Sequence, residues 1–123
     1  MFYKKDNNNY RKAVDGVTYK TLSYGDKTSL GEFRLEKGSV IPNHKHSHEQ
    51  TGYMISGRMT FTIDGEDNNA EAGDSWNIPG NVEHGVIVHE EAVVIEVFFR
   101  LEKSICLKNK FYEKKTVWTM LSS

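Results

Sequence analysis

The sequence contains little cysteine and proline and has no long apolar run. Among 123 residues there are one cysteine, Cys106, and two prolines. A single cysteine excludes an intrachain disulfide and gives no sign of an oxidising compartment. No stretch approaches the ~20 consecutive apolar residues of a transmembrane helix, and residues 1–12 lack the apolar core of a signal peptide. We therefore expect a cytoplasmic protein without a membrane partner.

An overall excess of one charge sign is also absent. The formal net charge is −1 and 27% of the residues are charged, which favours neither a nucleic acid nor a membrane surface as a partner. The charge is nevertheless uneven, because the residues from Arg100 onward include six Lys or Arg and only two Glu. We interpret this basic segment as a solvated terminal strand or tail, with an anion-binding segment as the alternative.

Helical periodicity is almost missing, and the sequence indicates short strands instead. The clearest lies at 58–64, where apolar and polar residues alternate as they do in a half-buried strand. Ser56-Gly57 and Asp64-Gly65 supply the residue types that tight hairpins need. Further strands are predicted at 17–24, 29–36, 50–55, 75–78, 83–89 and 92–100.

Many short strands without intervening helices indicate a β-sandwich or a β-barrel. We predict a single all-β domain at 13–100. A flexible N-terminus at 1–12 precedes it, and a C-terminal extension at 101–123 follows it. Within this extension, residues 106–118 fit a short helix or an edge strand equally well.

Three of the five histidines lie within five consecutive residues, and a fourth lies farther along the chain. His44 and His46 are spaced i, i+2, so that on a strand both rings would share one face. Gln50 could return on the next strand with its amide oxygen. Imidazole is a preferred ligand of transition metals. We therefore predict one divalent transition metal (Ni, Mn, Fe or Zn) bound by His44, His46, Gln50 and His84.

Four nearby residues are harder to interpret. His48 falls in the turn between the ligand strands, where it is a surface residue, an alternative ligand or a substrate contact. Tyr53, Met54 and Trp76 are large and largely apolar. We expect these three residues in the core or in the lining of a cavity rather than in the chemistry.

Two motifs resemble those of the cupin superfamily. They read Gly38-x5-His44-x-His46-x3-Gln50-x6-Gly57 and Gly73-x5-Pro79-x4-His84. The resemblance extends over residues 29–98 and implies a double-stranded β-helix, which is a jelly-roll barrel, with a metal site. Three positions depart from the usual motif residues: Gln50 replaces glutamate, Asn81 replaces glycine and Val88 replaces asparagine.

Within that superfamily the sequence is similar to a subgroup of small single-domain proteins that act in pectin degradation. The similarity implies conversion of a 4,5-unsaturated monouronate into its linear keto form. Members of the subgroup carry an acidic residue, a phenylalanine and an arginine near the last core strand. Glu96 and Phe98 stand at the first two positions, whereas Glu102 stands at the third and Arg100 lies two residues earlier. Cupins also commonly form homodimers, which we expect by analogy.

The neutral ligand set favours a particular chemistry. Three imidazoles and one amide would leave the charge of a metal ion uncancelled, which favours polarising a carbonyl or orienting a carboxylate. Glu96 is then the candidate for proton transfer and Arg100 for binding a substrate carboxylate. Glu96 is otherwise costly to bury, unless a partner such as Arg58 or Arg34 neutralises it. We expect a small anionic carbohydrate as the substrate, with a mononuclear-metal dioxygenase or a non-catalytic binding protein as alternatives.

Overall fold

The computed structural model describes residues 1–99. Arg100 and the predicted extension at 101–123 lie outside the described residues. No helix that could span a membrane is found in residues 1–99. The described chain forms eight strands: β1 Arg11–Val14, β2 Val17–Tyr24, β3 Thr28–Leu35, β4 Val40–His44, β5 Gln50–Ile63, β6 Glu66–Glu71, β7 Ser75–Ile78 and β8 His84–Phe99.

Two long strands, β5 and β8, pair antiparallel along their whole length at the centre of one eight-stranded sheet. Their two ends have different neighbouring strands, and we refer to the two halves of this sheet as the two sheets. The first half of β8 pairs with β4, and the second half of β5 pairs with β6. The second half of β8 pairs with β3, which continues through β2 to β1, and the first half of β5 pairs with β7. The two sheets are therefore the two faces of an antiparallel barrel, which confirms the predicted all-β jelly roll.

Both long strands bend where one sheet passes into the other. Three irregularities in the β5–β8 register fall between Met54 and Met59. Gly57 has a φ of 91°, and a Cβ at this position would overlap the carbonyl oxygen of Glu91. The predicted hairpin at Ser56-Gly57 is therefore wrong, because the positive φ serves a bend inside one strand. For the same reason, the two strands predicted at 50–55 and 58–64 form one continuous strand, β5. The two strands predicted at 83–89 and 92–100 likewise form one strand, β8.

The sequence analysis missed three strands, because each is polar, contains proline or is only four residues long. β6 reads EDNNAE, and only Ala70 in it is buried. β4 contains Pro42, and β1 is four residues long. β1 begins at Arg11, inside the predicted flexible N-terminus. The hairpin predicted at Asp64-Gly65 does join β5 to β6, and both residues have positive φ.

The core fills the space between the two sheets. Its side chains come from alternating positions of β2, β3, β5 and β8, as the period of two predicts. Met54 is fully buried, as expected, but Tyr53 is 47% exposed on the outside of the barrel. Tyr53 neighbours other exposed apolar side chains on β5 and β8. We call this surface the outer patch, and define it as Tyr53, Ile55, Val97 and Phe99.

Candidate metal centre

Three histidines from distant parts of the chain converge inside the barrel. His44 ends β4, His84 begins β8, and their Cα atoms are direct partners across the two strands. The ring centroid of His84 lies 4.3 Å from that of His44 and 5.0 Å from that of His46. One ring nitrogen from each of the three lies within 4.8 Å of the other two. A single metal ion could therefore bind all three rings.

The reason for this convergence differs from the predicted one in one respect. His46 is not on a strand, because β4 ends at His44 and the next residues form the loop to β5. The i, i+2 spacing on one strand face therefore does not place His46. Instead, the carbonyl of His46 accepts a hydrogen bond of 2.7 Å from the backbone N–H of Asn81. This bond ties the loop that carries His46 to the loop that precedes His84.

The departure of Asn81 from the usual motif glycine is explained by its backbone. Its φ is 65°, in the left-handed region that glycine adopts most readily. Asparagine is among the residues that tolerate this region best. The motif position is therefore filled by the residue type that most nearly replaces glycine, and the loop keeps its contact with His46.

Backbone carbonyl groups fix the orientation of all three rings. Each Nδ1 lies 2.8 Å from a carbonyl oxygen of a residue two positions away. Because a carbonyl oxygen only accepts, each Nδ1 carries the hydrogen and each Nε2 keeps its lone pair for a ligand. The carbonyl groups belong to Pro42 for His44, to His48 for His46 and to Val82 for His84.

The Nε2 atoms provide a test of whether these residues fit a metal ion. Nε2 of His46 lies 2.6 Å from Oε1 of Gln50, the first residue of β5. With the ring hydrogen on Nδ1, both of these atoms are acceptors, and acceptors approach so closely only around a shared cation or proton. Nε2 of His84 is buried and has no hydrogen-bond partner among residues 1–99. The donor set therefore suits a transition metal.

Burial keeps the rings in the form that binds metals. Removal from water lowers the pKa of His84 to about 4, against a smaller opposing effect of the Val82 carbonyl. The neighbouring rings of His44 and His46 lower it further. Burial likewise lowers the pKa of His44. Both side chains are therefore neutral at physiological pH, as a ligand imidazole must be.

Glu96 is buried in the same interior, with 5% of its surface exposed. The alternative explanation, a neutralising partner such as Arg34 or Arg58, is excluded, because Arg34 pairs with Glu32 and Arg58 with Glu90 on the outside of the barrel.

The partner of Glu96 is Trp76, which the sequence analysis expected in the core or in the lining of a cavity. The indole N–H of Trp76 donates to Oε1 of Glu96 over 3.1 Å. The other carboxyl oxygen, Oε2, is buried without a hydrogen bond to the part of the chain that the structure describes. Burial raises the pKa of Glu96 to about 8, and the side chains of Trp76 and Gln50 partly oppose this rise. Glu96 is therefore largely protonated at neutral pH and close to its titration point.

His44, His84 and Glu96 line a common cavity. It has a volume of about 30 Å³, and its polar lining includes His44, Gln50, His84 and Glu96. Apolar residues such as Phe61 and Val94 form the rest of the wall. A cavity of this size holds roughly two water-sized groups. The arrangement can therefore bring a cation, a small polar group and a protonatable carboxyl together in an otherwise apolar space.

The remaining predicted site residues lie elsewhere. Phe98 is buried in the core, where its ring centroid is 6.4 Å from that of Phe33. The ring of His48 is 6.3 Å from that of His46, and burial lowers the pKa of His48. Arg100 lies outside the described residues. The roles predicted for Phe98, His48 and Arg100 therefore stay predictions.

The fold and the histidine cluster together define the class of protein: a small antiparallel β-barrel with a candidate metal centre in its interior. The chain belongs to the cupin family, since the model of the cupin domain matches residues 31–98. That range begins in β3 and ends in β8, and it contains all four predicted ligands.

Individual relatives agree with this assignment. The chain is 28% identical over 99 residues to the pectin degradation protein KdgF of Dickeya dadantii, covering 79% of this chain and 90% of that protein. Its fold is similar to the structure of KdgF from Halomonas sp., with a TM-score of 0.76, 21% identity, and coverage of 85% and 97%. An RmlC-like cupin from Shewanella frigidimarina gives a TM-score of 0.73 at 22% identity, with coverage of 80% and 89%. The chain is thus a cupin with sequence similarity to a pectin degradation protein.

Proposed function

We propose that this protein is a metal-dependent enzyme that converts a 4,5-unsaturated monouronate into its linear keto form. The observation that carries the proposal is a cluster of three histidines that could hold a metal ion, two of which line one cavity together with a buried Glu96 of raised pKa. The similarity to a pectin degradation protein supports a sugar acid as the substrate.

His44, His46, Gln50 and His84 would hold one divalent ion of Ni, Mn, Fe or Zn. Such an ion, when bound, supplies Lewis acidity toward an oxygen of the substrate. His44 and His84 carry no proton at pH 7, because burial lowers the pKa of both, and the amide of Gln50 has no charge. These ligands would leave the charge of the metal ion uncancelled, so the site would attract an anionic substrate. A uronate carries the required carboxylate.

The proposed reaction is an isomerisation that moves one proton. The anomeric hydroxyl loses its proton and becomes an aldehyde while the bond between C1 and the ring oxygen breaks. The electrons of that bond stay on the former ring oxygen and give an enolate at C5, which becomes a ketone when C4 takes up a proton. Atoms and charge balance, so no oxidant or second substrate is needed.

Glu96 performs the proton transfer in this proposal. In the metal-free protein a pKa of about 8 leaves the carboxyl largely protonated at neutral pH, and a protonated carboxyl can deliver a proton to C4. The same pKa lies near the working pH, so that the carboxylate can be reprotonated by the proton released from the anomeric hydroxyl. The apolar wall of the cavity excludes bulk water from this exchange.

Two further residues complete the proposed site. Arg100 would bind the substrate carboxylate, because a guanidinium can hold both carboxylate oxygens. Phe98 is included because the subgroup that the sequence resembles carries a phenylalanine at this position. The cavity of about 30 Å³ holds about two water-sized groups, so most of the sugar would lie at its mouth, beside the partly exposed His44.

The experiment that tests this function follows the ultraviolet absorbance of unsaturated galacturonate, because the conjugated double bond is lost in the reaction. Metal-loaded protein should accelerate the loss, while the chelator-treated protein should not. Glu96→Gln should slow the reaction about 10²- to 10⁴-fold, as expected for loss of a general acid. A decay rate equal to the protein-free control would leave non-catalytic binding, and oxygen consumption would favour a dioxygenase.

We also propose that the protein is a cytoplasmic homodimer. The outer patch supports this, because four large apolar side chains, each 39% to 56% exposed, lie on adjacent halves of β5 and β8. Exposed apolar side chains on one pair of strands are common at association sites. A second copy with the same patch would cover it in a two-fold symmetric contact.

A further inference from the structure

Trp76 lies outside the set of candidate ligands but contacts the proposed acid. Trp76 on β7, Gly52 on β5 and Glu96 on β8 are register partners that form one row across three adjacent strands. Side chains in such a row point to the same side of the sheet. The indole and the carboxyl therefore face each other above the glycine, on the inner side of the barrel.

Gly52 is required for this contact because of space rather than backbone conformation. A Cβ at Gly52 would overlap the indole nitrogen of Trp76. The same nitrogen carries the hydrogen that is donated to Oε1 of Glu96. Any side chain at this position would therefore push the indole away from the carboxyl.

The contact with Trp76 restrains only one of the two carboxyl oxygens of Glu96. Oε1 accepts the indole hydrogen over 3.1 Å, whereas Oε2 has no hydrogen bond within residues 1–99. The indole is itself held by an edge-on contact with Phe61, whose ring centroid is 4.9 Å away. Phe61 and Glu96 both line the cavity with the candidate ligands. A carboxyl fixed through one oxygen presents the other in a defined direction.

We propose that Trp76 is a positioning residue that holds Oε1 of Glu96, so that Oε2 is directed to the reacting atoms in the cavity. Gly52 makes room for it. This inference rests on the proposed function, in which Glu96 transfers a proton. Trp76 does not touch the substrate, and its effect on the reaction passes through Glu96.

Trp76→Phe tests this proposal, because phenylalanine keeps an aromatic ring beside Phe61 but has no N–H. We expect kcat for the unsaturated uronate to fall about tenfold or more, the loss typical of a hydrogen bond to a charged or ionisable group. KM should change less than about twofold, and the metal content should be unchanged. Unchanged kcat in a variant with normal metal content would overturn the proposal.

Two further variants separate positioning from a structural role. In the Glu96→Gln background, Trp76→Phe should cause little further loss of kcat, because both changes act on one proton transfer. Fully additive losses would contradict the proposal. Gly52→Ala should reproduce the kcat loss of Trp76→Phe. Gly25→Ala is the matched control, because a Cβ at Gly25 meets no atom within 4 Å, and it should behave as the wild type.

A measurement without substrate keeps this inference distinct from the proposed function. In a ¹⁵N spectrum the indole N–H resonance of Trp76 is identified by its absence in Trp76→Phe. It should move upfield and exchange faster with solvent in Glu96→Ala, and remain in place in Gly25→Ala. If the wild type does not act on uronates but the resonance moves, only the proposed function fails. A Trp76 indole resonance that does not change in Glu96→Ala would overturn the positioning role, whatever the enzymatic activity.

Discussion

His44 and His84 are direct partners across β4 and β8, with their Cα atoms opposite each other and their ring centroids 4.3 Å apart. The pairing brings together residues that are 40 positions apart in the sequence. Ordinary strand pairing therefore fixes the positions of two of the candidate metal ligands. His46 and Gln50 complete the candidate metal centre from the loop and strand that follow β4. The site therefore depends on the register of two long strands rather than on one local segment.

Gln50→Glu should keep the metal and weaken catalysis. A carboxylate at this position would bind a divalent cation more tightly than the amide and would cancel part of its charge. The new carboxylate would also lie beside Glu96 and raise the pKa of Glu96 further in the metal-free protein. We expect kcat to fall at least about tenfold, the effect of roughly 1.4 kcal/mol on the barrier. Metal competition with a chelator should show equal or tighter binding, and an activity equal to the wild type would contradict a Lewis-acid role.

Glu96→Gln should change the pH dependence of stability of the metal-free protein. Burial raises the pKa of Glu96 from 4.5 to about 8, so between these values the folded state holds a proton that the unfolded state has lost. The protonated Glu96 makes its full contribution to the free energy of unfolding below pH 4.5, and this contribution is lost as pH rises through about 8. Wild type should therefore lose about 3 kcal/mol between pH 5 and 8, and Glu96→Gln should not.

His84 acts in the opposite direction in the same experiment. Its pKa falls from 6.5 to about 4 on folding, so its stabilising contribution is complete above pH 6.5 and is lost as pH falls through about 4. Both proteins share this effect, and the difference between them isolates Glu96. Denaturant unfolding in chelator at pH 5 and pH 8 measures it. Parallel curves for the two proteins would mean that burial does not perturb Glu96.

Gly57→Ala should destabilise the barrel at the point where β5 bends. The new Cβ would overlap the backbone oxygen of Glu91, and the residue would keep a φ of 91° that alanine rarely adopts. We expect a loss of about 3 kcal/mol or more in the free energy of unfolding. Gly65→Ala is the matched control, because Gly65 has a φ of 79° but open space around it. It should cost about 1 kcal/mol, and equal losses would show that the close approach is unimportant.

Val97→Lys should separate the proposed homodimer into monomers. Val97 is 39% exposed within the outer patch, and a charge buried there by a second copy would lack a partner. Light scattering during size exclusion should give twice the chain mass for the wild type and the chain mass for the variant. Ile87→Lys is the control, because Ile87 is 49% exposed on the first half of β8, outside the patch. A monomeric wild type would contradict the proposal.

The sequence predicted the fold and the meeting of His44, His46 and His84, because the period of two marks strands and the spacing of the two motifs resembles that of a known family. The bend at Gly57 was misread as a hairpin because a Ser-Gly pair with positive φ serves both structures. β6 was missed because its side chains are mostly polar and show no strand pattern. Its strand conformation depends on pairing with β5. The contact of Trp76 with Glu96 depends on strand register, although a glycine in a strand, such as Gly52, hints at a close neighbour.

Elemental analysis of protein purified without an affinity tag tests the central claim most directly. Wild type should contain about one divalent transition metal per chain, held by three histidines and Gln50. His84→Ala should contain almost none, because Nε2 of His84 is one of the converging nitrogen atoms. His89→Ala should keep the metal, since His89 contacts Thr60 instead. A full complement of metal in His84→Ala, or none in the wild type, would contradict the account.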